Sequence, residues 1–192
     1  LTTGGFNTTV DAGTQGDVTF ADAIAGGGVF TVTRGDIQQY DSIDVDQLTI
    51  SAATTSVTFH GPVNVTNGVS VTSSGSITQE TPVNVGTSVS YTAGTFIDLD
   101  NTVTATTGNF TATAGTTITA DKALTAATSV VLTSTGGTTL AADADVTTTA
   151  LGGLIDINGP LTTAADFSTN KGTITLSNGV TLTGDVVWDS DR

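Results

Sequence analysis

The chain contains no cysteine and no methionine, and only 3 prolines, 4 basic residues and 1 histidine among 192 residues. Without thiols it has neither a disulfide staple nor a thiolate metal site, so packing must supply its stability. Arg34, Lys122, Lys171 and Arg192 are scattered and the net charge is −14. The clustered basic footprint that grips a phosphate backbone is therefore missing, which excludes nucleic acid and disfavours anionic membrane surfaces. No apolar run reaches the length of a spanning helix, so membrane insertion is not expected. The N-terminal LTTGGFNTTV has neither the basic nor the apolar region of a signal peptide. The first residue is Leu1 rather than Met, as in a processed chain or a piece of a longer one. Nor does any long window carry the apolar stripe of an amphipathic helix. The Ala-rich ADKALTAATSVVL at 120–132 occupies a slot that is strand in neighbouring units and is read as strand and loop.

Threonine and glycine fill the space these absences leave, at 44 and 23 residues. Threonine's branched Cβ suits a pleated strand and penalises a helix. From Ser56 the chain repeats: SVTFHGPVNVTNGVSVTSSG (56–75), SITQETPVNVGTSVSYTAG (76–94), TFIDLDNTVTATTGNFTATAG (95–115), TTITADKALTAATSVVLTSTG (116–136) and GTTLAADADVTTTALGGLIDING (137–159). A weaker copy closes at Gly179. Each unit splits into three pieces, such as VTFHGP, VNVTNG and VSVTSSG, in which apolar residues alternate with Thr, Ser or Asn. Period-two alternation marks a strand with one buried face. A fixed repeat of about 20 residues carrying three such strands marks a solenoid, because one coil cannot bury its apolar face until the next stacks on it.

The predicted fold is therefore all-β, a parallel β-helix with three short strands per coil, about nine coils and a rod roughly 45 Å long. One solenoid domain is expected over residues 1–192: irregular coils over 1–55, regular repeats over 56–187 and a C-terminal end over 188–192. The polar, glycine-free DIQQYDSIDVD (36–46) is expected to project as a loop. Candidate core positions include Val57, Phe59, Val63, Val65, Val69, Val71, Ile77, Tyr91, Phe96, Phe110, Ile155, Phe167, Ile174, Leu176, Val180 and Leu182. Outward threonines should form ladders with hydroxyls bonded along them. Gly61, Gly68, Gly75, Gly94, Gly108, Gly115 and Gly136 should turn corners, where positive φ is often needed.

The cadence VNVTNGVSVTSSGSIT, with coil starts GSIT, GTTIT and GTITL, resembles the β-strand-repeat regions of filamentous-haemagglutinin-like large exoproteins and related bacterial surface adhesins. The resemblance covers about 56–187 and implies a secreted or cell-surface, bacterial location. It implies a role in adhesion, matrix or surface-layer building, and no catalytic motif goes with it.

Several residues carry chemistry. Asp98, Asp100 and Asn101, and likewise Asp41, Asp44 and Asp46, place oxygen ligands close together and are candidate calcium ligands. Neither the GGxGxD calcium nonapeptide nor an EF-hand loop is present. The pairs Asp44/Asp46, Asp98/Asp100, Asp143/Asp145 and Asp189/Asp191 suggest sugar binding or cleavage. No basic residue recurs beside them, so solvated surface aspartates are the plainer reading and no catalytic residue is nominated. His60 has no His or Cys partner and reads as a turn residue. Trp188 ends the array and suits a contact between solenoid ends more than a sugar platform. With Val186, Phe6 and Val10 it forms the candidate interface. Three functions follow: an adhesive or structural rod that self-associates through its ends and meets a glycan or matrix, a carbohydrate-binding or carbohydrate-cleaving β-helix, and a Thr-ladder ice binder. The last rests on Thr31/Thr33, Thr104/Thr106, Thr111/Thr113, Thr117/Thr119, Thr173/Thr175 and Thr181/Thr183. The rod is the expectation carried forward.

Overall fold

A computed structural model describes residues 1–191. Among the described residues there are strands and turns and no helix. In a regular coil the chain passes through three strands, for example Val63–Val65, Val69–Ser73 and Ser76–Gln79. Each lies parallel to its counterpart in the next coil, with Val63 on Val83, Val69 on Val89 and Ile77 on Ile97. The chain is thus a parallel β-solenoid.

The mostly three-residue strands that include Val63–Val65 form a nine-stranded sheet, the short-strand face. The ladder from Val69–Ser73 onward is the long-strand face, and that from Ser76–Gln79 onward is the third face. These two ladders belong to one sixteen-stranded sheet, because Val29–Tyr40 and Gln47–Phe59 run round the corner between them unbroken. Both long strands carry register shifts, between Gly35 and Ile37 and between Ile50 and Ala53. Such bulges are what make the first coils irregular.

Alternation fixes which side chains enter the core. Val63, Asn64 and Val65 point in, out and in. Their inward column reads Ile24, Ile43, Val63, Val83, Val103, Leu124, Val146, Phe167, Trp188. Burying one such side chain contributes about 1.5–3 kcal/mol, and a one-residue slip would expose the whole strand's set, so register is strongly specified.

The structure corrects five expectations. The stretch 36–46 does not project: residues 36–40 complete Val29–Tyr40, and Ile43–Val45 is the next strand. Its alternation was masked by a buried glutamine. Gln38 and Tyr40 are both fully buried, and the Tyr40 hydroxyl donates to Gln38 Oε1 at 2.6 Å. Phe96 is 42% exposed, because Ile97 takes the inward place between Ile77 and Ile118. Ile174, Leu176 and Val180 are half-buried and Leu182 is exposed, since a coil covers them on one side only. The corner glycines 61, 68, 75, 94, 108, 115 and 136 have no positive φ. At Gly75, Gly94 and Gly115 space is the reason, because a Cβ would collide with the carbonyl oxygens of Thr55, Ser74 and Gly94 in the preceding coil. Finally, threonine hydroxyls that bond one coil to the last also sit at corners, where they reach backbone: Thr87 donates to Asn67 O at 2.6 Å and Thr107 to Gly86 O at 2.7 Å.

Candidate functional site

The acidic residues sort by position in the coil. Successive corner amides reach back one coil: His60 N–H to Tyr40 O, Glu80 to Phe59 O, Asp100 to Gln79 O and Asp121 to Leu99 O, at 2.8 to 3.1 Å. Asp41 donates likewise to Phe20 O. Asp41, His60, Glu80, Asp100 and Asp121 therefore form one corner column that in-strand spacing did not reveal. The signal was present, since each follows an inward residue of the third face. His60 Nδ1 meets Glu80 Oε2 at 2.8 Å. Partial burial, then the charges of Asp98, Asp121 and Glu80, raise the Asp100 carboxyl above its ordinary value.

This placement separates the candidate calcium ligands. Asp41 is at the corner, Asp44 faces out from the short-strand face, and Asp46 Oδ2 accepts the Gly28 N–H at 2.8 Å. Asp98 faces out from the third face, where it accepts from the Thr119 hydroxyl, while Asn101 Oδ1 accepts its neighbour's N–H at 3.0 Å. Among the described residues no group of three or more His, Cys, Asp or Glu side chains is arranged to hold a metal. Of the other paired aspartates, Asp143 binds Lys122 Nζ at 2.7 Å, and that ion pair lowers the Asp143 carboxyl.

Trp188 stands in the inward column above Phe167, ring edge to face at 6.3 Å, and is 50% exposed. Val186 is half-buried against the core beside it. Sequence reasoning missed two neighbours in that coil, Val187 at 60% and Leu182 at 54% exposed. At the opposite end Phe6 is 77% exposed, and Val10, paired with Val32, is half-buried.

The short-strand face presents one outward polar rung per coil: Asp44, Asn64, Asn84, Thr104, Thr125, Thr147, Ser168, Asp189. Asn84 Nδ2 donates to Asn64 Oδ1 at 3.2 Å. Cavities open along this floor, one of about 370 Å³ over Asp44, Asn64 and Asn84, and two of about 220 and 320 Å³ that share Thr147 and Ser168. A further one of about 420 Å³ lies at the acidic corner beside Asp100, Asp121 and Lys122.

The Thr-x-Thr pairs do not converge on one ladder. Thr104 lies on the short-strand face, Thr31, Thr111/Thr113 and Thr173/Thr175 on the long-strand face, and Thr117/Thr119 and Thr181 on the third. An unbroken threonine column does exist on the long-strand face, namely Thr72, Thr92, Thr113 and Thr133, with Ser70, Ser90, Thr111 and Val131 beside them in turn.

No protein-family model matches the chain, and neither a curated protein nor a solved structure matches it.

Proposed function

We propose that this chain is a structural, adhesive β-solenoid of a bacterial cell surface or its surroundings, a rod whose coils are continued end to end by identical copies or by further coils of a longer repeat protein. One observation carries the reading. In the coil that ends at Trp188, inward-column and neighbouring apolar side chains are left uncovered: Leu182, Val187 and Trp188 are each at least half exposed. The opposite end is open too, at Phe6 and Val10. Parallel strands give both ends the same polarity. One end therefore fits the other in a head-to-tail contact that does not close on itself, the geometry that produces fibres. The haemagglutinin-like cadence supports the surface location.

Negative-stain electron microscopy of the purified chain tests the assembly. Fibres are expected, with an axial repeat near one rod length, and Trp188→Lys should shorten or abolish them by placing a charge in the contact. Isolated rods at every concentration would discard self-assembly and leave the longer-protein form. That form is then tested by the size of the native polypeptide in extracts of the source cells.

A further inference from the structure

We propose that the long-strand face is an ice-binding surface, a neutral hydroxyl array that holds water in the arrangement of the ice lattice. The inference rests on the reading above only for the surroundings in which ice is met, and it needs no end-to-end assembly.

Charge singles the face out. On a chain of net charge −14, its outward in-strand positions over four successive coils carry none: Ser70 and Thr72, Ser90 and Thr92, Thr111 and Thr113, Val131 and Thr133. The short-strand face has one outward position per coil and runs from Asp44 to Asp189. The third face reads Thr58, Thr78, Asp98, Thr119, and there Asp98 both interrupts the column and takes up the Thr119 hydroxyl. An ionic group gathers water into a radial shell that fits no crystal, whereas the ice lattice is uncharged. The neutral face is therefore the one that complements it.

Register makes the array regular. From Val69–Ser73 to Leu154–Asn158 the pairing runs without a register shift, so the outward side chains stand in two straight columns. Stacked coils repeat at about 4.8 Å, close to the oxygen repeat of hexagonal ice along its a axis. Both limits of the array are visible. The register shift between Ile50 and Ala53 precedes it, and Asp156 and Asn158 close it, where Asn158 Nδ2 donates to Asp156 Oδ2 at 3.0 Å.

The hydroxyls are uncommitted. Corner threonines direct theirs to the preceding coil, Thr87 to Asn67 O, Thr107 to Gly86 O and Thr135 to Gly115 O. In contrast, the hydroxyls of Ser70, Thr72, Ser90, Thr92, Thr111, Thr113 and Thr133 make no side-chain hydrogen bond among the described residues. Each keeps one donor and two acceptor sites for water. The branched Cβ of threonine restricts χ1, so most of these groups are presented with little rotamer freedom left to lose.

Thermal hysteresis is measured on the monodisperse chain, apart from the microscopy of fibres, so that failure of one reading leaves the other standing. The freezing point of a seeded solution is expected to fall below its melting point, and fluorescently labelled chain is expected to enter a growing single crystal of ice. Thr92→Lys, within the array, should lose most of the hysteresis, and Asn84→Lys on the short-strand face should keep it. Absence of hysteresis, exclusion of the label from ice, or equal loss in the two variants would overturn the proposal. So would a dimer in sedimentation that Thr92→Lys alone dissociates, which would assign the face to a second copy. Retention on crystalline chitin or cellulose without ice activity would likewise overturn it. Uptake of the labelled wild type keeps it falsifiable should Thr92→Lys not fold.

Discussion

The solenoid has two halves built on one plan with different fillings. Up to Phe110 an aromatic spine runs through the core: Phe20 packs on Phe30 and Tyr40, Tyr40 on Phe59, Phe59 on Tyr91 and Tyr91 on Phe110, with ring centroids 5.5 to 6.5 Å apart. From 111 to 166 there is no aromatic residue. That half is filled by Val, Leu, Ile and Ala, with Ser134, Thr138, Thr148 and Thr163 also buried. Coil length differs as well. The register partners Ile24, Ile43, Val63, Val83 and Val103 lie 19 or 20 residues apart, whereas Val103, Leu124, Val146, Phe167 and Trp188 lie 21 or 22 apart. The lesson is that a solenoid tolerates a core without aromatic rings so long as each coil closes on the register of the last. In such a fold stability is set coil by coil and by nearest neighbours. The aromatic half should therefore be the last to open, since each aromatic pair adds about 0.5–1.5 kcal/mol beyond its burial.

The largest expected effect comes from breaking the spine. Phe59→Ala removes the ring between Tyr40 and Tyr91 and should cost about 3–5 kcal/mol in urea unfolding. Native-state hydrogen exchange should then show the two halves opening at similar free energies, where the wild type opens first beyond Phe110. An unchanged exchange profile would remove the spine's special role. Next is Gly94→Ala, in which the new Cβ meets the Ser74 carbonyl. Overpacking of this kind costs about 1–3 kcal/mol, read as a drop in the urea midpoint. Thr148→Val should sharpen the comparison from the other side. Thr148 is 2% exposed and its hydroxyl has no partner among the described residues, so the apolar isostere should stabilise the half without aromatic rings by about 1 kcal/mol.

The smallest effect is electrostatic and sits at the acidic corner. The Asp100 carboxyl is raised above its ordinary 3.8, first by burial and then by Asp98, Asp121 and Glu80. The folded state thus holds that proton more tightly than the unfolded chain. The stability gained by protonation is complete below the ordinary value and is lost as pH rises through the raised one. Asp100→Asn should accordingly raise the melting temperature at neutral pH, with the gain fading as pH falls through the raised value and gone below about 3.8. A gain that persisted in acid would mean the corner's repulsion is not its source.

The sequence made the repeat legible because alternation is local: VNV and VTF reveal their buried side without reference to any other coil. Where a polar residue took an inward place the signal failed. Gln38 made 36–46 look like a loop, although Tyr40 two residues on marked the same buried side. In the adjacent pair Phe96-Ile97 size favoured the wrong member. Trp188 was recognised as an end residue, but Val187 and Leu182 beside it were not. The outward rungs of the short-strand face were visible as aspartates, asparagines and threonines, yet nothing in their spacing distinguished a shared face from separate corners.

What the sequence determined by itself is therefore the strand content, the coil of about 20 residues and most of the inward set, since all three follow from periods of two and twenty along one chain. Only the tertiary structure decided which carboxylates share a corner, which glycines answer to a neighbouring carbonyl, and which hydroxyls share one face. Those depend on register between coils, and register is set by how each coil closes on the last, a non-local sum of corner lengths and bulges that no single repeat contains.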